Sequence, residues 1–245
     1  MYTQVFYVTV HSEVEMTNHG HGLITIHKPA YDYSDLKRRF ELLQSYLARP
    51  KKWHPSRAKA FYKRITDLSC FMRDFKWRVS WELNRARKKK GHAWDGRFKS
   101  IEVRGEEHMS VVDTYIQLNS VRAGLAEKPS QYPYCTTGRI KAAIDRDVEI
   151  EAPEIGLFAP IKERLSRCKA YVAYQDWMAH LIRHPAARGE LPPPEVIALN
   201  IPSEKWEETR LEIEKRAPVE WQHQIYGEKP KKKKIRRKPK DPPPI

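Results

Sequence analysis

The sequence predicts an α/β (α+β) protein in which a central antiparallel sheet is flanked by helices. Two runs rich in β-branched and aromatic residues, 4–16 and 21–27, are separated by a short polar turn and predict adjacent strands. Apolar residues then recur every three or four positions over most of the remaining chain, which predicts helices. Because 40% of the 245 residues are hydrophobic, the chain can bury a core.

Two helices are predicted after the strands. The first is a short amphipathic helix with Ser34 as its N-cap and Pro50 as its stop. The second is a longer pattern that starts at Ser56 and ends in the basic run of residues 85–90. These cations either complement the helix dipole and stay solvated, or form an edge that contacts phosphates.

Residues 93–103 are predicted to form a strand or hairpin with a bend at Gly96. The following segment, 106–124, is predicted to be a helix, because acidic residues occupy its start and Gly124 suits the C′ position. Residues four or three apart share a helix face, and one face of this helix carries Tyr115, Asn119 and Arg122.

The C-terminal half differs in composition from the N-terminal half. Residues 150–228 contain helical patterns interrupted by prolines, which indicates an appended helical region. We therefore expect a catalytic-type domain over 1–137, a helical extension over 138–228 and a disordered basic tail over 229–245. The tail is either a solubilising segment or a nonspecific DNA-binding arm.

The net charge of +15 favours a polyanionic partner, and nucleic acid is the leading candidate. No apolar run reaches the roughly 18 residues that a membrane span needs, and residues 1–20 lack a signal-peptide pattern. We expect a cytoplasmic, nucleoid-associated protein without a membrane partner. The three cysteines are scattered, so neither a disulfide framework nor a thiolate zinc site is indicated.

One group of residues is suited to the cleavage of a phosphodiester bond. His19 and His21 lie at positions i and i+2 of a predicted strand, so their imidazoles point to one face and can converge on a divalent cation. Asn119 offers an oxygen as third ligand, and Tyr115 lies one helical turn away as a nucleophile for phosphorus. Each residue also has a structural interpretation: a hydrogen-bonded turn histidine, a half-buried helix tyrosine and a locally bonded asparagine.

Three ordered motifs resemble those of a known family. "MTNHGHGL" resembles the M-P-N-H-V-H-L segment of single-tyrosine HUH transposases. "GHAWDGRFKS", followed by "YIQLNSVRAGL" and "YPY", resembles the corresponding elements of REP-associated tyrosine transposases. The resemblance covers about residues 5 to 137, and the extension is loosely similar to that of longer family members.

The resemblance implies a ferredoxin-like HUH-endonuclease core that cleaves and rejoins single-stranded DNA carrying hairpin elements, through a 5′-phosphotyrosine. Tyr115 would be the nucleophile. His19, His21 and Asn119 would hold Mg²⁺ or Mn²⁺. A homodimer is a further expectation. The motifs associate six positions with DNA: Asn18, Trp94, Arg97, Phe98, Lys99 and Arg122. Asn18 would shape the histidine turn, the basic residues would contact phosphates, and the two aromatic residues would either stack on bases or only pack within the protein.

The chain also departs from the family pattern. Gly20 replaces a bulky hydrophobic residue between the histidines, and Thr17 and Ser120 stand where prolines are usual. Relatives carry a strand and a helix before the point where this chain begins, so the resemblance implies a sheet that lacks a strand and exposes an edge. A catalytically decayed or domesticated DNA-binding protein is therefore an alternative. A phosphodiester hydrolase that uses the same metal is another.

Overall fold

The computed structural model describes residues 2–216, except Ala48, His92 and Asp95. It confirms a mixed α/β fold, in which the described residues form one antiparallel sheet of two strands surrounded by helices. Strand β1 spans Val8–Glu15 and strand β2 spans Gly20–Ile26. The ferredoxin-like HUH core stays a prediction. The predicted tail and residues 217–228 of the predicted extension lie outside the described residues.

Helices form where the apolar patterns predicted them, and two more form where none was predicted: Tyr2–Val5, which overlaps the start of the predicted strand run 4–16, and Thr136–Asp145. Short 3-10 turns at Pro55–Arg57, Pro129–Gln131, Gly156–Phe158 and Pro185–Gly189 connect several of them. The α-helices are α1 (Tyr2–Val5), α2 (Tyr33–Ser45), α3 (Ala58–Ile65), α4 (Leu68–Ala86), α5 (Glu106–Arg122), α6 (Thr136–Asp145), α7 (Arg164–Arg183), α8 (Pro194–Ile197) and α9 (Ser203–Arg216).

A β-bulge at His11 lets the hairpin pack on both of its faces. The register passes from Val10 opposite Ile24 to Ser12 opposite Leu23, so β1 has one residue more than β2 at this point. Such an extra residue reverses the side-chain alternation of the strand that carries it. Val8 and Val10 accordingly pack with the N-terminal helices, whereas Val14 packs beneath α5.

The hairpin lies between two larger hydrophobic clusters. One cluster joins α1, β1, α2, α3 and the start of α4. The other joins α5, α6, α7 and α9. A small cluster beneath α5 connects the hairpin to the second of these, and it consists of Val14, Leu23, Ile116 and Cys135. The second cluster spans residue 137, since it includes Leu118 on one side and Ile140 on the other.

One edge of β1 is covered near the histidine turn. Val14 forms an isolated antiparallel bridge with Cys135, and the Glu15 amide donates to the Tyr134 carbonyl at 2.8 Å. The Tyr132 hydroxyl also donates to the Glu15 carbonyl at 2.7 Å. A single added Cβ at Gly138 would lie only 1.9 Å from the Tyr132 carbonyl oxygen, so this approach requires glycine. This part of the strand edge is not open to another strand.

Helix α5 is held to α7 by a buried carboxyl group. Asp113 is 1% exposed and accepts hydrogen bonds from the Tyr171 hydroxyl at 3.0 Å and the Gln175 amide at 2.7 Å. One turn further along, the side-chain Oε1 of Gln117 accepts bonds from the backbone amide and the hydroxyl of Thr137, both at 2.9 Å. Buried polar groups are costly unless they are paired, so these bonds fix how α5 sits against its neighbours.

Three further local predictions were wrong. Helix α2 begins at Tyr33, and its cap is Asp32 rather than Ser34, because the Asp32 carboxylate accepts from the amides of residues 34 and 35. The long helical pattern is broken between α3 and α4, where Asp67 caps a new helix by accepting from the Cys70 amide. The described residues of 93–103 form no strand or hairpin, and the Trp94 indole in this segment is bonded to α4.

Asp113 should make the stability of the fold depend on pH. Burial raises its pKa from 3.8 to about 7, against the hydrogen bonds from Tyr171 and Gln175, which lower it. The folded protein therefore takes up a proton at a pH where the unfolded chain stays ionised, so the free energy of unfolding falls as the pH rises from about 4 to about 7. Asp113→Asn keeps an acceptor oxygen but cannot ionise, and should lose this dependence in urea titrations at pH 5 and pH 8.

The exposed Asp145→Asn variant is the control for that experiment, because its carboxylate pairs with Lys141 at the surface. This control should keep the wild-type difference between the two pH values. An equal pH dependence in Asp113→Asn and wild type would contradict the assignment.

Candidate functional site

The histidine pair lies where the hairpin turns. The Met16 amide donates to the His19 carbonyl at 2.7 Å and closes the turn, and His21 lies opposite Val14 as the second residue of β2. The two imidazole rings are 4.9 Å apart between centroids and nearly perpendicular. The two side chains are therefore neighbours, while their convergence on a metal ion stays a prediction.

The two imidazoles differ in environment. His19 is exposed, and its Nδ1 lies 2.7 Å from the Asn18 Oδ1, which orients the ring so that Nε2 points away from this contact. His21 is half-buried, and its pKa is lowered by burial, by His19 and by Arg122. A lowered pKa favours the neutral imidazole, which is the form that binds a metal ion or accepts a proton.

Helix α5 brings Tyr115 to this pair. The ring centroids of His21 and Tyr115 are 6.3 Å apart in an edge-on arrangement. The Arg122 guanidinium carbon lies 4.6 Å from the Tyr115 ring centroid, in a cation–π contact. The Arg122 Nη1 also donates to the Asn119 Oδ1 at 3.3 Å. The helix face predicted from the spacing of 115, 119 and 122 is thus confirmed, and it adjoins the histidine pair.

Asn119 is more constrained than a free ligand would be. It is 7% exposed, and its Nδ2 donates to the carbonyls of Tyr115 at 3.0 Å and Ile116 at 3.3 Å. These bonds turn its amide along its own helix, while Arg122 donates to the remaining oxygen. The Asn119 oxygen retains one lone pair for a cation and shares the other with a positive charge.

The side chains of this site can be judged as ligands for the Mg²⁺ or Mn²⁺ that the motifs imply. Two neighbouring imidazoles, with His21 favouring the neutral form, fit a divalent transition-metal ion. Mg²⁺ prefers oxygen ligands, so this pair fits Mn²⁺ better. Within the described residues, no group of three or more His, Cys, Asp or Glu side chains is placed to hold a metal. A third protein ligand would have to be the amide oxygen of Asn119.

The predicted DNA-contacting residues of the segment after α4 lie in an irregular chain. Arg97 and Lys99 are exposed and Phe98 is half-buried. Trp94 packs on α4: its Nε1 donates to the Lys76 carbonyl at 2.9 Å, and the Lys76 ammonium lies 5.0 Å from its ring centroid. These contacts support the packing interpretation of Trp94. The roles of Arg97, Phe98 and Lys99 stay predictions.

The sequence prediction gave no function to the residues that hold the hairpin turn in place. Tyr132 and Cys135 bond the end of β1, directly before the turn that carries Asn18 and His19. The signal for Tyr132 in the sequence was the "YPY" segment, which was interpreted only as a family motif, and Cys135 follows that segment directly. The structure gives that segment a positioning role at the site.

Comparisons with protein-family models, with characterised proteins and with solved structures gave no match. The resemblance to HUH transposases therefore stays a prediction that rests on the motifs themselves. Within the described part of the chain, no helix is both long and apolar enough to cross a bilayer.

The glycine between the histidines is placed where a larger residue would disturb the hairpin. A Cβ at Gly20 would lie 3.2 Å from the Val14 carbonyl oxygen, closer than ordinary van der Waals contact, so a side chain must displace the end of β1. We expect Gly20→Val to lower the free energy of unfolding by about 1 kcal/mol, as judged by urea titration.

Gly22→Val is the matched control, because its Cβ would meet the Ser12 carbonyl oxygen at an ordinary 3.6 Å. A β-branched residue suits a strand, so this second variant should equal the wild type or exceed it in stability. If Gly20→Val were as stable as Gly22→Val, the contact with Val14 would not be what keeps glycine at this position.

Proposed function

We propose that this chain is a transposase-like enzyme that cleaves and rejoins single-stranded DNA through a phosphotyrosine at Tyr115. The single observation that carries the proposal is the approach of the Tyr115 ring, on α5, to the ring of His21, which in turn lies against that of His19. A tyrosine next to a pair of imidazoles, one of them favouring its neutral form, is an arrangement suited to attack on a phosphodiester. Single-stranded DNA with hairpin elements is the proposed substrate.

The bond changes follow from the nucleophile. The Tyr115 Oη attacks phosphorus, the bond from phosphorus to the 3′-oxygen breaks, and the phenolic proton ends on the released 3′-hydroxyl. The upstream strand leaves with that hydroxyl, and the downstream strand stays attached to Tyr115 through its 5′-phosphate. Attack of a 3′-hydroxyl on this linkage reverses the step and joins strands without ATP, because the phosphotyrosine keeps the energy of the original bond.

Each residue of the site has a task in this proposal. His19 and His21 would hold the divalent ion, whose chemistry is to neutralise charge on the phosphate oxygens. Asn18 orients His19 through the contact with its Nδ1. Arg122 holds the Tyr115 ring from the side of α5 and adds positive charge where the phosphate must approach. The net charge of +15 favours approach of the DNA itself.

A second candidate function is DNA binding without cleavage. The observation that favours it is the environment of Asn119, whose amide bonds its own helix and whose oxygen accepts from Arg122. If Asn119 does not join the ligands, the protein supplies only two imidazoles, which weakens metal affinity. Such a protein would bind DNA in a salt-sensitive manner and form no covalent product.

The decisive test is the covalent product. The protein is incubated with Mn²⁺ and a single-stranded oligonucleotide that carries a hairpin, in one reaction labelled at its 3′ end and in another at its 5′ end. We expect a protein band that carries the 3′ label only, since the downstream strand is the one attached. Tyr115→Phe removes one oxygen and should abolish the band, and chelation of the metal should do the same.

Tyr134→Phe is the matched control, because Tyr134 is 59% exposed and lies in the neighbouring segment. It should form the adduct at the wild-type level. An adduct that persists in Tyr115→Phe would refute the assignment of the nucleophile. Free 5′-phosphate without an adduct would indicate a hydrolase, and salt-sensitive binding without any product would indicate the non-catalytic alternative.

A further inference from the structure

The second half of α4 carries two tryptophans at its surface. Phe71, in the first half of this helix, is buried, whereas Trp77 is 59% exposed and Trp81 is 43% exposed. The two indoles are four residues apart, so they lie on one side of the helix. Exposed large aromatic side chains that cluster on one surface are typical of a binding site.

Cations surround the second of these tryptophans. The Arg78 guanidinium carbon lies 5.0 Å from the Trp81 ring centroid, and that of Arg85 lies 5.2 Å from it. Arg78 also pairs with Glu82 at 2.7 Å, which is a surface ion pair. Glu82 is the one acidic residue of segment 77–91, against six arginines and lysines. The charge of this segment therefore complements a polyanion.

The chain reverses after α4 and folds further cations against the helix. Lys88 adopts the left-handed conformation with a φ of 51°, and the Lys89 amide donates to the Asn84 carbonyl at 2.9 Å. The Asn84 side-chain amide donates to the Gly91 carbonyl at 2.8 Å and holds the returning chain against α4. This turn closes a surface groove of about 500 Å³, which we call the α4 groove, lined by Trp81, Asn84, Arg85, Lys88, Lys89, Lys90 and Gly91.

We propose that the α4 groove, together with Trp77, binds single-stranded DNA at a surface separate from Tyr115. Bases stack on aromatic faces in a way that tolerates any sequence, while arginine and lysine contact the phosphates between them. A duplex keeps its bases stacked on one another, so the groove selects the unpaired strand. The choice of DNA rests on the proposed function, and the groove would hold a part of the strand away from the bond that is cleaved.

The test measures binding apart from cleavage. Fluorescence anisotropy with labelled dT20 is recorded on the full chain carrying Tyr115→Phe, so that no covalent product forms. Trp77→Ala and Trp81→Ala should each weaken the affinity for dT20 by about tenfold, the size expected for loss of one stacked base. Replacement of Lys88, Lys89 and Lys90 by glutamine should reduce the dependence of affinity on salt concentration.

The control variant is Tyr31→Ala, which removes an aromatic side chain that is 51% exposed and lies before α2. It should bind dT20 as the parent protein does. Trp77→Phe and Trp81→Phe keep an aromatic face and should restore most of the affinity, which a merely structural role of the indoles would not predict. A 20-base-pair duplex should bind the tryptophan variants and their parent equally.

Unchanged dT20 affinity in both alanine variants would overturn the proposal. An equal loss of duplex affinity, or a failure of phenylalanine to restore binding, would also overturn it, because either result removes stacking as the cause. Tighter binding of rU20 or of a polyglutamate peptide than of dT20 would reject single-stranded DNA as the occupant. Because Tyr115 is already replaced, these outcomes are independent of whether the wild-type chain forms an adduct.

Discussion

Helix α5 lies between the β-hairpin on one side and α7 on the other, and the geometry of the site depends on that double burial. Ile116 packs on Val14 and Leu23 of the hairpin, which places Tyr115 beside His21. One turn earlier on the helix, Asp113 is bonded by Tyr171 and Gln175 of α7. A helix that buries a carboxyl group in this way cannot rotate without leaving it unpaired, so the position of the tyrosine is fixed by residues that never reach the site.

The bulge at His11 lets strand β1 pack against two different groups of helices. A regular two-residue alternation in β1 would direct Val8, Val10, Ser12 and Val14 to a single face. The extra residue divides them, so the beginning of the strand packs with the N-terminal helices and its end packs with α5. A sheet of two strands is thereby buried on both faces, and the loop with the histidines projects from a support that is held on two sides.

Local signals made the hairpin and α5 predictable from the sequence. The strands are dense in β-branched residues, and Gly124 takes the left-handed conformation expected after a helix. The break between α3 and α4 was missed because apolar residues recur at helical spacing on both sides of it, although Asp67 is a typical cap. The composition of residues 93–103 predicted a strand, but their described residues form none. A strand needs a partner to pair with, and Trp94 is held by the Lys76 carbonyl of α4 instead.

The sequence indicated which residues make up the candidate site. It did not indicate what holds them in place, because the contacts that do so join residues far apart in the sequence. The turn with the histidines could move if β1 ended freely at Glu15. The Glu15 amide and carbonyl are instead both bonded by the segment around Tyr132 and Tyr134, more than a hundred residues later. That segment lies directly before α6, where Thr137 bonds Gln117 of α5. One stretch of chain therefore ties the histidine turn and the tyrosine helix together, so the distance between the two groups is set by a third element.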